Sequence, residues 1–246
     1  TGEYFNSLSL LPEKYKESSD LNKNLKKTMV DAVSSRLISD VPVGLLLSGG
    51  IDSNLIKNST KRELECFTGG FLGDYDIEFA EQSLGHESNN IIVTNNEFLK
   101  RLQEMVELRK EPLSVPNEVI LSFLAEAWAG KGGKVLLSGE AADELFAGYD
   151  RIYSWALNEK KFDVLKFLSL YAYLPVEDIN EDILDSVSNF FLELEPLSNF
   201  EKVRQFFIKK HLPVLFRRLD FSLMYSGIEG REPFAATEVL KIALNI

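Results

Sequence analysis

The sequence predicts an α/β fold, a parallel sheet flanked by helices that gives way to a helical carboxyl-terminal part. Short aliphatic runs alternate with stretches of helical periodicity over residues 20–150, glycines close several of those runs, and no strand is predicted from Arg151 onward. Strand and helix alternating with connections of this length are accommodated by crossovers that lay successive strands parallel and cover both faces of the sheet. The expected organisation is a single domain over residues 1–246, with its α/β core in 20–150 and a mainly helical portion in 151–246.

Each element has its own warrant. Leu21, Leu25, Met29, Val33 and Leu37 recur at every fourth position between Asp20 and Ile38, as one face of a helix requires, and Pro42 ends it. Val43 to Leu47 is a short strand apolar enough to be buried on both sides. A helix is predicted over Ser53 to Lys61, a second strand over Leu64 to Phe71, a helix over Phe79 to Leu84 and a third strand over Asn90 to Val93. Thr94 and Glu97 have the spacing of a capping box before a helix whose face carries Phe98, Leu102, Met105 and Val106. A loop with Pro112 and Pro116 leads to a helix near Val119 to Ala129, and Gly132 and Gly133 separate that helix from a fourth strand over Lys134 to Leu137. The remainder reads as amphipathic helices, Phe162 to Leu174 and Phe200 to Ile208 among them.

Composition excludes some functions. The chain has 246 residues, 45% hydrophobic and 26% charged, enough for one large core. Its formal charge of -11 leaves no surplus of Lys and Arg to neutralise a phosphate backbone, so neither nucleic acid nor an anionic membrane is expected as a partner. A polyphosphate would have to be held by a local site. The single cysteine, Cys66, permits no intrachain disulfide and is expected as a small buried side chain in a strand, which fits a reducing compartment. No run of about 18 apolar residues and no signal-peptide pattern appear, so a cytoplasmic location without a membrane span is expected.

Ligands of a parallel α/β sheet sit beyond the carboxyl ends of its strands, and two loops there carry chemistry. The first is S-G-G-I-D-S, Ser48 to Ser53, directly after the first strand. Its glycines let backbone approach an anion, while amides and a helix N-terminus supply positive potential without a lysine. Asp52 beside a polyphosphate calls for a divalent cation between the two charges, and Mg2+ is usually held by one or two carboxylates plus substrate phosphates. The second loop, L-L-S-G-E-A-A-D-E-L-F-A-G-Y, Leu136 to Tyr149, repeats the plan after the fourth strand and offers Glu140, Asp143 and Glu144. The Walker pattern G-x-x-x-x-G-K-[ST] is absent from the sequence.

S-G-G-I-D-S resembles the pyrophosphate-binding loop of the ATP pyrophosphatases, whose fold is adenine nucleotide alpha hydrolase-like. S-G-E-A-A-D-E-L-F-A-G-Y, H-L-P-V-L-F-R-R-L-D and I-E-G-R-E-P-F resemble the synthetase domain of glutamine-hydrolysing asparagine synthetase and its relative beta-lactam synthetase, over roughly Asp20 to Leu244. That resemblance implies adenylation of an aspartate side-chain carboxylate by ATP, with pyrophosphate released, followed by attack of ammonia. It makes residues 20–150 a nucleotide-binding core. Ser48, Gly49, Gly50, Asp52 and Ser53 match positions that cradle pyrophosphate, and Leu47, Gly69, Ser138 and Gly139 match positions that hold adenosine, largely through backbone. Asp52 and Asp143 match magnesium ligands, Glu140 an acid that takes the proton lost by ammonia, and Arg231 falls in the segment that approaches the substrate.

Alternatives are a related synthetase with a different acid or amine, and a nucleotide-binding remnant without turnover. Relatives also carry a glutaminase half that opens on a cysteine nucleophile and a lysine segment that contacts phosphates. A glutaminase is thus expected in the full-length protein or in trans, with a homodimer as the candidate assembly, and Thr1 is not expected to act as a nucleophile. Ala141 and Ala147 stand where relatives usually have glycine, and Ala235 and Ala236 where they show Leu and Asp. His86 and His211 fall in neither loop and are expected to be structural or surface residues.

Overall fold

The computed structural model describes residues 21–85 and 89–246, so Thr1 and His86 lie outside the described residues. Backbone packing divides the chain into two compact units, one of residues 21–142 together with Val214–Ile246, the other Asp143–Pro213. The first unit opens with α1 (Leu21–Arg36), β1 (Val43–Leu46), α2 (Ile51–Asn58), β2 (Glu65–Gly70) and α3 (Tyr75–Leu84). It continues with β3 (Asn89–Ile92), α4 (Asn95–Arg109), α5 (Asn117–Gly130) and β4 (Val135–Leu137). Around and within the second unit run α6 (Ala142–Phe146), α7 (Asp150–Asn158), α8 (Val164–Tyr171), α9 (Glu181–Glu193) and α10 (Asn199–Phe206). Then α11 (Leu212–Met224), β5 (Glu229–Arg231) and α12 (Thr237–Ala243) return the chain to the first.

The first unit is built on a five-stranded sheet of order β3-β2-β1-β4-β5, parallel throughout. This is the predicted α/β class with helices flanking the sheet. Val43 and Leu45 of β1 are 5% and 0% exposed, as a central strand covered on both sides requires. Phe67, Leu124, Trp128, Leu136, Leu219 and Leu223 gather in one cluster that packs α5 and α11 on the sheet. Fully burying side chains of this size contributes about 1.5–3 kcal/mol each. The Trp128 indole N–H donates to the Val135 carbonyl at 2.9 Å, so its polar end is satisfied inside that cluster. Cys66 is buried in β2 as expected, and burial pushes its thiol pKa up.

The capping box forms as its spacing predicts. Thr94 Oγ1 accepts the Glu97 N–H at 3.3 Å and Glu97 Oε2 accepts the Thr94 N–H at 2.9 Å; the Thr94 bonds hold the exposed Glu97 carboxyl below its usual range. Two expectations differ. Strands do not stop at Arg151, because β5 pairs with β4 at the sheet edge; its sequence, E-G-R, has no apolar run by which periodicity could mark it. Helix α2 starts at Ile51 rather than Ser53, so the second glycine of the first loop is its N-cap.

The second unit is helical and aromatic. Phe167 and Phe206 meet edge to face at 4.8 Å and 72°, and Phe191 joins the same cluster. Between α10 and α11 the chain makes a π-helical turn, Phe207–His211, in which the Leu212 N–H reaches back to the Phe207 carbonyl. Pro213 follows with no N–H to continue an α-helical ladder. Among the described residues, no helix is long and apolar enough to cross a membrane.

Candidate active site

In the strand order β3-β2-β1-β4-β5 the chain first builds outward from β1 through β2 to β3, then returns to β1's other edge as β4. The reversal falls between β1 and β4, and at such a switch point the loops leaving the two strands diverge around a crevice. The loop after β1 carries Ser48 to Ser53 and the loop after β4 carries Ser138 to Ala142, both in the first unit.

A Cβ added to Gly139 would stand 3.2 Å from Asp52 Cβ and 3.5 Å from the Ser53 amide nitrogen. The two loops therefore lie side by side, with no room between them for a bulky side chain at Gly139. Gly49 has φ +76, and a Cβ there would lie 2.5 Å from the Phe79 carbonyl carbon, so glycine is required by conformation and by space together. The Asn54 side-chain amide donates to the Gly49 and Gly50 carbonyls at 2.8 and 3.0 Å, and the Ser48 N–H donates to Ser53 Oγ at 3.3 Å. The loop is thus fixed with its carbonyls engaged from the α2 side. No side chain caps α2 at Gly50, so its first-turn amides keep their capacity for an anion.

Leu47 is 1% exposed; its N–H donates to the Phe67 carbonyl at 2.9 Å and its carbonyl accepts Thr68 Oγ1 at 2.5 Å, which leaves one carbonyl lone pair to offer a ligand. Ser138 is similarly committed: its N–H donates to the Arg231 carbonyl at 3.0 Å and its Oγ accepts the Glu140 N–H at 3.2 Å. Gly69 has a packing reason to lack a side chain, since a Cβ would lie 2.7 Å from Leu124 Cδ2 beneath α5. Asp52 lies in the first turn of α2. Among the described residues no group of three or more His, Cys, Asp and Glu forms a metal cage; Asp52 beside an uncapped helix start is of the type that suits the other mode, a carboxylate completed by phosphates.

Arg231 is not brought to this crevice by its side chain. Its Nη1 donates to the Arg36 and Ile38 carbonyls, both at 2.8 Å, and its Nε to Glu229 at 2.9 Å, so the guanidinium ties β5 to the end of α1. In a strand, alternate residues face opposite sides, and Glu232 therefore turns the other way. Burial raises the pKa of the Glu232 carboxyl; its own backbone amide and Arg36 oppose the rise, while Glu140 and Asp220 add to it. Glu140 itself pairs with Arg218 of α11. Neither Arg218 nor Glu232 was marked as a site residue by sequence motif. The signal for Arg218 was present: a fixed charge falls on the same face as Leu215, Leu219 and Ser222, all buried.

Asp143 belongs to the second unit, where it opens onto solvent yet keeps its carboxyl partly withdrawn from water; that withdrawal, then Asp150, raises its pKa. Glu144, 2% exposed, accepts the Tyr149 hydroxyl, and His211 Nδ1 shares a 2.8 Å hydrogen bond with the Tyr171 hydroxyl, whose pKa burial pushes up to about 12.

Residues 24–246 match the family model described as asparagine synthase. The chain is 37% identical over 155 residues to glutamine-hydrolysing asparagine synthetase 1 of Bacillus subtilis, covering 60% of this chain and 24% of that protein. It is 29% identical over 174 residues to glutamine-hydrolysing asparagine synthetase B of Escherichia coli, covering 61% of this chain and 31% of that protein. A solved NH3-dependent NAD synthetase from Campylobacter jejuni aligns at a TM-score of 0.40 and 19% identity, over 79% of this chain and 96% of that one. The chain spans 24% and 31% of the length of the two curated relatives.

Proposed function

Since the chain belongs to the asparagine synthase family, we propose that it is the ATP-dependent synthetase part of an amide ligase, joining an acid to ammonia through an acyl adenylate. The observation that carries this reading is the contact of Gly139 with the first turn of α2, which sets the two glycine loops on one crevice. The acid is the side-chain carboxylate of aspartate, and one of its oxygens attacks the α-phosphate of ATP while pyrophosphate leaves. Ammonia reaches the acyl adenylate from a glutaminase elsewhere in the full-length protein or in trans.

Negative charge gathers on the departing pyrophosphate, so donors aimed there lower the barrier; one such donor is worth about 3–4 kcal/mol. The Ser48, Gly49, Gly50 and Ser53 segment supplies them from the Gly49 amide, the two serine hydroxyls and the start of α2, the Ser48 N–H being engaged by Ser53 Oγ. Asp52 would hold Mg2+, which supplies charge neutralisation of the polyphosphate when bound. Asp143 is the second carboxylate proposed for the metal, on the family motif. Leu47, Gly69, Ser138 and Gly139 line the adenosine side through backbone; Leu47 contributes its carbonyl alone, because its N–H is engaged by Phe67. Arg231 acts indirectly, fixing β5 beside Ser138. Glu140 accepts the proton that ammonia loses.

The test is pyrophosphate release on mixing the protein with ATP, Mg2+ and aspartate, followed by asparagine formation with added ammonia. Other acids replacing aspartate with equal efficiency would overturn that substrate, and no pyrophosphate with any acid would overturn the ligase. Glu140→Gln is expected to keep ATP binding and lower amide formation by about 10²–10⁴-fold. A fully active variant removes Glu140 from the mechanism.

A further inference from the structure

The Arg218 side chain is 9% exposed, and its Nη2 donates to Glu140 Oε1. Its Nε is buried and has no hydrogen-bond acceptor among the described residues. In a guanidinium, Nε and Nη2 form one edge with parallel N–H bonds, the edge that grips two oxygens at once. Glu140 takes one N–H of Nη2, and the neighbouring Nε–H is left over. Buried donors without acceptors are rare in folded proteins, and this one sits against the acid that the preceding reading makes the proton acceptor. Arg231 cannot serve here, because its guanidinium is engaged by Arg36, Ile38 and Glu229.

We propose that Arg218 is a catalytic residue of the amide-forming step, its Nε–H donating to the acyl oxygen of the activated acid while Nη2 keeps Glu140 alongside. The proposal rests on the adenylating function proposed above. In that step the ammonia lone pair forms the N–C bond, and the carbonyl π pair moves onto the acyl oxygen, where the Nε–H meets it. One proton passes from nitrogen to Glu140. The pair then returns to carbon as the bond from acyl carbon to the phosphate oxygen breaks, and AMP leaves with the electrons of that bond. A donor aimed at a developing oxyanion acts late, so its loss slows amide formation more than adenylation.

Two quantities separate this role from a structural one: the first-turnover burst of pyrophosphate with ATP, Mg2+ and the acid, and the steady rate of amide formation with ammonia. Arg218→Lys keeps a cation beside Glu140 but offers no second N–H on a planar edge. It is expected to retain the burst within about threefold of wild type and to lose about a hundredfold in amide formation. Arg218→Met should lose at least as much; if it fails to fold, the lysine variant alone decides. Equal loss of burst and amide formation overturns the proposal, since misfolding or weak binding would produce it, and so does no loss of either. A wild-type protein that gives no burst overturns the ligase reading and this role together, whereas a working wild type with an unaffected lysine variant overturns this role alone.

Discussion

The loop after β1 and the loop after β4 share a plan, strand then Ser-Gly then acid then helix, but they are secured by different means. In the first, the left-handed residue is Gly49, and Ser48, Ser53 and Asn54 bind the turn to the start of α2. In the second, left-handed backbone falls on Ala141, φ 80, and farther along on Ala147, φ 62. Both are positions where the resemblance leads one to expect glycine. A non-glycine residue there is strained by about 1–2 kcal/mol. The difference teaches that a glycine can be demanded on two grounds, conformation alone or conformation with space, and only the first can be overridden by an alanine.

Gly49→Ala should break the comparison most severely, because a Cβ meets the Phe79 backbone at 2.5 Å and φ is +76. A loss of about 3 kcal/mol in stability is expected, from left-handed strain plus overpacking, read as a lower urea midpoint. A loss under about 1 kcal/mol would show that space is not the stricter demand. Asp52→Asn comes next: Mg-ATP binding should weaken by about tenfold or more, or at least ~1.4 kcal/mol, while metal-free ATP binding does not weaken. Calorimetric titration with and without Mg2+ checks it, and equal affinities in both variants would remove Asp52 from the metal. Ala141→Gly runs the other way. Relief of the strain, less the greater freedom of glycine in the unfolded chain, should stabilise the protein by about 0.5–1 kcal/mol. A destabilised Ala141→Gly would mean that the buried alanine methyl packs better than its backbone suffers.

The same contrast explains what the sequence made legible. A Ser-Gly step after an aliphatic run located β1, β4 and both loops, because buried parallel strands and tight glycine turns leave strong compositional marks. Capping at Thr94 was equally plain, being local. The edge strand β5 was not, since three polar residues at a sheet margin need only backbone pairing with β4. The strand also decides which way the arginine turns. Once Glu229–Arg231 is a strand, period-two alternation sends Arg231 with Glu229 to one side and Glu232 to the other, which the motif read as loop could not tell. Arg218 was legible in principle as a charge on an apolar face, but its partner Glu140 lies 78 residues away, a pairing that only the folded chain supplies.

The smallest expected effect sharpens the comparison electrostatically. The acidic loop gathers Glu140 near Glu232 and Asp220, and burial, the leading cause, lifts the Glu232 pKa above its ordinary 4.5. A raised folded-state value means that the native protein holds the proton more tightly than the unfolded chain does. Between the two values stability therefore falls as pH rises; the group's contribution is full below 4.5 and is lost as pH passes through the raised value. Glu232→Gln keeps the shape and never charges. It should melt above wild type at about pH 8, with the gap closing as the medium is acidified toward about pH 4. An opposite gap, wild type the more stable at about pH 8, would mean that Arg36 and neighbouring donors more than offset burial, and that the second loop is balanced in charge as the first is by its amides.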